Sequence, residues 1–325
     1  MRLSTAAANA GGLAAGYLLD RLLGDPRRFH PVAGYGQAAA ALERKTYAPS
    51  RAAGAKHVAV AVAVPVAVAA VAQYATRNKP VARAAVMAIA TWTVLGGTSL
   101  RREATRLADA LAVGDLDEAR AKLPSLCGRK PDELGPAELA RATVESVAEN
   151  TSDAVVAPLC WGAVAGIPGL VGYRAVNTLD AMIGHRSARY EKFGWAAARL
   201  DDLANLVPAR LGAVLTVLVA GKGRRGAALR TWLRDGSEHP SPNSGQVEAA
   251  AAGALGLRLG GRNDYGSRVE VRPHLGDGAP PAGRDIYRAA RLSAAVGVAA
   301  LVATAGHALA APVRRAAVAW MWRRG

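Results

Sequence analysis

The chain has 325 residues, 51% of them hydrophobic and 20% charged, which excludes a disordered tail. Phe occurs only twice and the mean hydropathy is +0.10, so Ala, Val, Leu and Gly fill apolar stretches that are too extensive for a typical soluble enzyme. The formal charge is +16, carried by 41 Lys and Arg against 25 Asp and Glu; with no zinc spacing, no basic helix and no aromatics among the basic residues, an anionic small molecule or acidic lipid fits better than nucleic acid.

In chain order, residues 3–23 are apolar but interrupted by Gly11 and Gly12, and they end in Asp20 and Arg21. Residues 58–75 carry no charge over 18 positions, too long for a strand and long enough to span a bilayer, with Pro65 tolerated as in other membrane helices. A polar turn at 76–80 leads to a second candidate span at 84–100, so the two read as a helical hairpin. The stretch 154–173 holds GIPG at 166–169 and reads either as a span or as a re-entrant pair of half-helices; 206–221 reads as a span or a partial insertion; 292–313 is a further span. Residues 101–153 have the three- and four-residue apolar spacing of soluble helices, whereas 222–290 are rich in Gly, Arg and loop signals. The expectation is an all-α, polytopic helical integral membrane protein with cytoplasmic helical and loop segments, one membrane-embedded domain over 1–325. The positive-inside rule puts 24–57 and 101–153 in the cytoplasm. Cys127 and Cys160 form neither a disulfide framework nor a metal spacing.

Five clusters could carry chemistry. The first, 20–31, sets Asp20, Asp25, Arg27, Arg28 and His30 at the end of an apolar helix; snorkelling explains the arginines but not Asp20, a turn deeper. In the second, Glu145, Glu149 and Asp153 fall at i, i+4, i+8, on one helical face that runs into an apolar stretch. Like charges at that spacing repel, and carboxylates entering a membrane-level pocket default to function; Mg²⁺ is a suitable cation. The alternative is a solvated acidic face. The third cluster contains Arg174, Asn177 and Asp180 at i, i+3, i+6, followed by His185, Arg186, Arg189 and Tyr190; its guanidinia suit phosphate, against the plainer reading of surface ion pairs. The fourth, with Asp201, Asp202 and Asn205, has a spacing that holds Mg²⁺–diphosphate in prenyl-transfer enzymes. The fifth is the rigid turn His239–Gly245, whose Asn243 or Ser244 would cap a helix over 246–257. No P-loop, GxGxxG, HExxH or GxSxG motif occurs.

These clusters, in this order, resemble the CobD/CbiB family of cobalamin biosynthesis, the adenosylcobinamide-phosphate synthases. The matching stretches are 18–32, 145–159, 173–211 and 239–261, the third being the most specific. The chain departs from the family in having Gln246 and Val247 where an aromatic often follows the SPNxG turn, and residues 262–284 are of variable length. The resemblance implies a multi-pass enzyme of the bacterial inner membrane that joins adenosylcobyric acid to (R)-1-amino-2-propanol, its O-phosphate or an ethanolamine analogue through an amide bond, with ATP as co-substrate. Activating a carboxylate in this way calls for Mg²⁺, cationic groups for the phosphoryl charge and a base for the ammonium.

On that basis Glu145, Glu149, Asp153, Asp201 and Asp202 are candidate metal or ammonium ligands. Glu149, Asp180 and His30 are candidate catalytic groups, the last two as alternative bases. Asp20, Asp25, Arg27, Arg28, Asn150, Arg174, Asn177, Arg186, Tyr190, Asn205 and Asn243 are candidate substrate or phosphate contacts. All blocks are expected to converge on one cytoplasmic-side pocket. The expected partners are the corrinoid, the amino alcohol, the lipid bilayer, and a second copy or other corrinoid enzymes, with no nucleic acid. Two rivals remain: an intramembrane Mg²⁺-dependent prenyl- or phospho-alcohol transferase, and a non-catalytic membrane sensor or scaffold.

Overall fold

The computed structural model describes residues 4–26, 30–185, 187–264 and 269–322. Its elements, in order, are α1 (Thr5–Leu23), α2 (Pro31–Thr46), α3 (Arg51–Ala75), α4 (Pro80–Val94), α5 (Gly97–Ala112), α6 (Leu116–Lys122), α7 (Pro136–Thr151), α8 (Ala157–Leu179), α9 (Tyr190–Phe193), α10 (Trp195–Val219), α11 (Arg225–Asp235), α12 (Ser244–Leu255), β1 (Leu259–Asp264), β2 (Val269–Leu275) and α13 (Gly283–Trp322). Five helical stretches are long and apolar enough to cross a membrane: Arg51–Ala75, Pro80–Ala112, Pro136–Gly184, Trp195–Val219 and Gly283–Ala310. A polytopic helical membrane protein fits. The segment 3–23 supplies α1, which is not among the five. The chain forms two compact units: one comprises 1–96, 157–204 and 300–325, the other 97–156 and 205–299.

In the first unit, Ser50 caps α3 by accepting the Ala53 N–H at 3.2 Å, and the helix runs through Pro65 without a break. Val60, Val64, Val68 and Val71 lie exposed along one stripe at helical spacing. An uninterrupted apolar stripe of this length suits lipid rather than water. Helices α1 and α4 approach closely because Gly12 and Gly16 form a small-xxx-small face. A Cβ on Gly12 would sit 2.5 Å from Met87 Cβ and 2.8 Å from the Ala84 carbonyl.

Helix α8 is broken at Gly166, whose φ of 69° and ψ of −148° leave the helical region. The break frees the Ile167 N–H, and Gln73 Oε1 on α3 accepts it at 2.9 Å. Pro168 then occupies the first turn of the second half, where its missing N–H costs nothing. The GIPG sequence therefore produces two half-helices joined at a kink whose freed N–H is capped by Gln73.

In the second unit, an Ala- and Leu-rich core holds Leu107, Leu123, Leu139, Val144, Leu259 and Ile286 together. Helix α12 is buried along nearly its whole length, which its Ala- and Gly-rich sequence permits. The region 222–290 differs from the loop-rich expectation: it forms α11, α12 and one antiparallel hairpin, β1 with β2. Its strands read as loop because Gly260 and Gly261 interrupt the alternation; both have positive φ, and a register shift lies between Leu259 and Gly261.

Candidate functional site

The second unit brings the acidic face of α7 against the turn before α12. Glu145 is buried, its side chain 3% exposed and that of Arg129 6% exposed, and the two are ion-paired. Arg141, one turn earlier on α7, reaches the same carboxylate at 3.4 Å, and the Gly260 N–H donates to it at 2.7 Å. Arg141 also donates to Asn263 Oδ1 and to the Gly260 and Arg262 carbonyls, tying α7 to β1. A buried carboxylate needs such partners, and removing one leaves a charge in a medium that solvates it poorly. Glu145 is thus already neutralised by two guanidinia.

Glu149, one turn further on, is half-buried and accepts a 2.6 Å hydrogen bond from Ser244 Oγ at the start of α12. The second and fifth sequence clusters therefore meet. The turn is ordered by its own side chains: Ser241 N–H donates to His239 Nδ1 at 3.0 Å, and Ser241 Oγ accepts the Asn243 and Ser244 N–H groups. Asn243 is buried. Glu248, a turn into α12, is 1% exposed, with Oε1 3.9 Å from His239 Nε2. Burial raises the Glu248 carboxyl well above its usual range, and the charges of Glu145 and Glu149 add to this. Burial lowers His239, and Arg272 contributes. Asp153 leaves the register of Glu145 and Glu149, since a π-helical turn, Ser152–Val156, begins just before it. Asn150 folds back on its own helix and donates to the Ser146 carbonyl at 2.9 Å and to Ser146 Oγ at 3.1 Å. Asn205 is buried within α10.

The first unit brings the third and fourth clusters together. Arg174 Nη1 donates to Asn177 Oδ1 at 3.2 Å, and Asn177 Nδ2 donates to Asp201 Oδ1 at 3.3 Å, linking α8 to α10. Asp202 points elsewhere, to Arg199 at 3.3 Å. Asp180 opens a π-helical turn, Asp180–Gly184, that ends α8. Tyr190 Oη and the Arg189 guanidinium both donate to Glu43 Oε1, while Arg189 stacks on Tyr47. His30 caps α2: its Nδ1 accepts the Val32 N–H at 3.2 Å. Asp20 is buried and Asp25 half-buried. Arg27, Arg28 and Arg186 lie outside the described residues.

Among the described residues, no three His, Cys, Asp or Glu side chains gather as a metal-holding group. Mg²⁺ is often held by one or two carboxylates together with substrate phosphates, so smaller sets are the relevant test. Glu145 does not fit, because two guanidinia and an amide hold its oxygens. Asn177 offers no oxygen to a metal, since its Oδ1 accepts from Arg174 and its Nδ2 faces Asp201; Asp201 is the group there whose chemistry fits, with Arg174 adjacent for an anionic ligand.

The sequence reading missed Arg129, Arg141, Glu43 and Glu248. Arg141 was detectable from its i, i+4 spacing to Glu145. Glu248 was detectable as the lone acid in the run VEAAAAGALGL. Arg129 and Glu43 carry no local signal.

The chain is 53% identical over 306 residues to a Mycobacterium tuberculosis protein named cobalamin biosynthesis protein CobD, covering 93% of this chain and 96% of the relative. Proteins of the same name from Mycobacterium bovis (54% over 297 residues, 90% of this chain and 94% of theirs) and Geobacter metallireducens (46% over 279 residues, 83% and 87%) are also similar. No solved structure matches. The family described as CobD/Cbib protein matches residues 13–293, which contain every described cluster above, and the chain belongs to that family.

Proposed function

We propose that this protein is an ATP-dependent C–N ligase of cobalamin biosynthesis in the bacterial cell membrane. It would join a propionate carboxylate of adenosylcobyric acid to (R)-1-amino-2-propanol, its O-phosphate or ethanolamine, giving adenosylcobinamide or its phosphate. Family membership supports the process. The observation that carries the chemistry is the half-buried Glu149, held by Ser244 and set one turn beyond the Arg-paired Glu145.

A carboxylate and an ammonium do not condense unaided. In the proposed reaction the corrin carboxylate oxygen bonds to the γ-phosphorus of ATP and ADP leaves. The amine nitrogen then bonds to the acyl carbon and phosphate leaves. The ammonium gives up two protons, one to a base and one to the departing phosphate. Glu149 is the base we assign, because its carboxylate is held in place by Ser244 and partly accessible; Asp180 and His30 are the alternatives. Arg174, with Arg27, Arg28 and Arg186, would clamp phosphoryl oxygens through forked donors. Asp20, Asp25, Asn150, Asn177, Tyr190, Asn205 and Asn243 would orient the polar groups of the substrates. Asp201 is where Mg²⁺ would be held. When bound, the ion would offset phosphoryl charge.

The test is reconstitution in liposomes with adenosylcobyric acid, Mg²⁺-ATP and the amino alcohol or its phosphate, read by product mass and ADP release. One ADP per amide is expected. Glu149→Gln is expected to lower turnover roughly 100-fold. Ser244→Ala should lower it roughly 10-fold or more, the worth of a hydrogen bond to a charged group. Amide formed without ADP release would refute the ligase, and wild-type turnover in both variants would remove Glu149 from it. Transfer from a diphosphate donor without ATP would instead support the transferase, which is less favoured here because Asp201 and Asp202 turn to different partners.

A further inference from the structure

Glu248 and His239 take no part in the scheme above, yet both are buried in the second unit, and neither Glu248 Oε1 nor His239 Nε2 finds a hydrogen-bond partner among the described residues. Buried polar atoms of this kind call for an explanation. His239 Nδ1 lies 3.0 Å from the Ser241 N–H and 3.4 Å from the Ser241 carbonyl, so the backbone can serve either tautomer; the Glu248 oxygen that faces Nε2 across 3.9 Å selects the Nε2–H form, in which Nδ1 accepts the Ser241 N–H.

From this pair a continuous set of contacts leads to Glu149. His239 Nδ1 holds the Ser241 backbone. Ser241 Oγ accepts the Asn243 N–H at 3.3 Å and the Ser244 N–H at 3.1 Å. Ser244 Oγ donates to Glu149 at 2.6 Å. Ser244 and Glu248 are also one turn apart on α12, so the helix carries both ends of the arrangement.

The geometry assigns Glu248 and His239 as positioning residues: His239, in its Nε2–H form and seated against the Glu248 carboxyl, fixes the Ser241–Ser244 turn so that Ser244 orients Glu149. This rests on the reading of Glu149 as the base. The groups that surround the pair favour the uncharged state of Glu248. Burial opposes its ionisation most, Glu145 and Glu149 on α7 add to this, and Arg272 and Arg129 offset it only in part. Protonation of His239 would fill Nδ1 and take the acceptor from the Ser241 N–H, whereas ionisation of Glu248 alone would leave Nδ1 accepting. The turn is therefore held while His239 stays uncharged.

Two readouts test this on the full-length protein in lipid nanodiscs. The first is the ¹⁵N spectrum of the His239 ring, assigned by comparison with His239→Asn. The second is turnover as a function of pH, with kcat and KM separated. Glu248→Gln keeps an uncharged side chain of the same shape. It should keep the Nε2–H signal and wild-type kcat across the pH range, because its amide oxygen can face Nε2–H as the carboxyl does. Glu248→Ala should lose the single tautomer and lower kcat roughly 10-fold, the scale of one hydrogen bond to a charged group, with KM for the corrinoid unchanged. If Glu248→Ala does not fold, His239→Asn, whose amide oxygen can accept the Ser241 N–H, should exceed His239→Ala in kcat by a similar factor. An unchanged tautomer in Glu248→Ala, a kcat in Glu248→Gln as low as that of Glu248→Ala, or equal kcat for the two His239 variants would overturn the assignment. Loss of the tautomer in a protein whose wild type makes no amide would instead defeat the ligase reading and leave the coupling standing.

Discussion

The first unit settles its buried cation Arg83 on neutral acceptors, Asn9 Oδ1 at 2.8 Å and the Gln73 carbonyl at 2.7 Å, whereas the second unit packs Arg129, Arg141, Glu145, His239 and Glu248 among alanines and leucines. Close helix contacts in the first unit are made by glycines, and its valine stripe on α3 is left bare. Those features suit helices that associate by van der Waals contact in lipid. A buried set of ion pairs adds little net stability, so its retention in the second unit points to a demand other than folding. The comparison separates a unit in which neutral polar groups mend a broken helix and satisfy a buried cation from one whose alanine- and leucine-rich core encloses a cluster of charged and titratable side chains.

The sharpest way to break that contrast is Glu145→Ala. It strands Arg129 in the core of the second unit, and the expected loss is about 3–5 kcal/mol of stability. Thermal unfolding of the purified protein in detergent measures it. Replacing both partners, Arg129→Met with Glu145→Leu, should recover part of the loss, because Arg129 no longer sits uncompensated while the Gly260 N–H still lacks its acceptor and Arg141 keeps only its neutral ones. If Glu145→Ala unfolds like the wild type, the pair is not the electrostatic centre described here.

In the first unit the comparable change is steric. Gly12→Leu forces a side chain into space where even its Cβ would lie 2.5 Å from Met87 Cβ. Overpacking of this kind costs about 1–3 kcal/mol, and α1 should separate from α4. Cross-linking between cysteines introduced on the two helices would report the separation, and undiminished cross-linking would contradict the close approach. Gln73→Leu is milder. It removes the acceptor of the Ile167 N–H at the break in α8 and leaves the backbone contact to Arg83 intact, for about 1–2 kcal/mol. Faster amide exchange at Ile167 is the expected signature.

Much of this arrangement was legible beforehand. The uncharged run 58–75 and the GIPG interruption announced α3 and the broken α8, because chain length and Gly–Pro chemistry are local properties. The i, i+4 relation of Glu145 and Glu149 was legible for the same reason. The partners were not. Arg129 reaches Glu145 from a loop, and Glu43 meets Arg189 across 146 residues of sequence; no periodicity encodes either. Asp153 looked like a third member of the acidic face because a helical spacing was extended through Ser152, where the backbone widens to a π-turn. The hairpin 259–275 was hidden by paired glycines that read as loop while forming a bulge.

The smallest expected effect lies at the edge of the second unit, where Arg234 is paired with Asp235 and Asp277 and the Gly276 N–H donates to Asp235 at 2.8 Å. The Arg234 hydrogen bond, helped by the Gly276 amide, holds the Asp235 carboxyl below its ordinary value of 3.8. A carboxylate depressed in the folded state binds its proton more readily when unfolded, so it adds stability above pH 3.8 and loses it as pH falls through the folded value. Asp235→Asn keeps an oxygen for the Gly276 N–H but has no charge to offer Arg234. The variant should therefore melt slightly below the wild type at pH 6, and the gap should close as the pH is lowered past 3.8. A gap that stays constant from pH 6 to pH 3 would mean that the side chain acts by packing alone. In that case this edge of the second unit would follow the neutral, shape-based logic of the first.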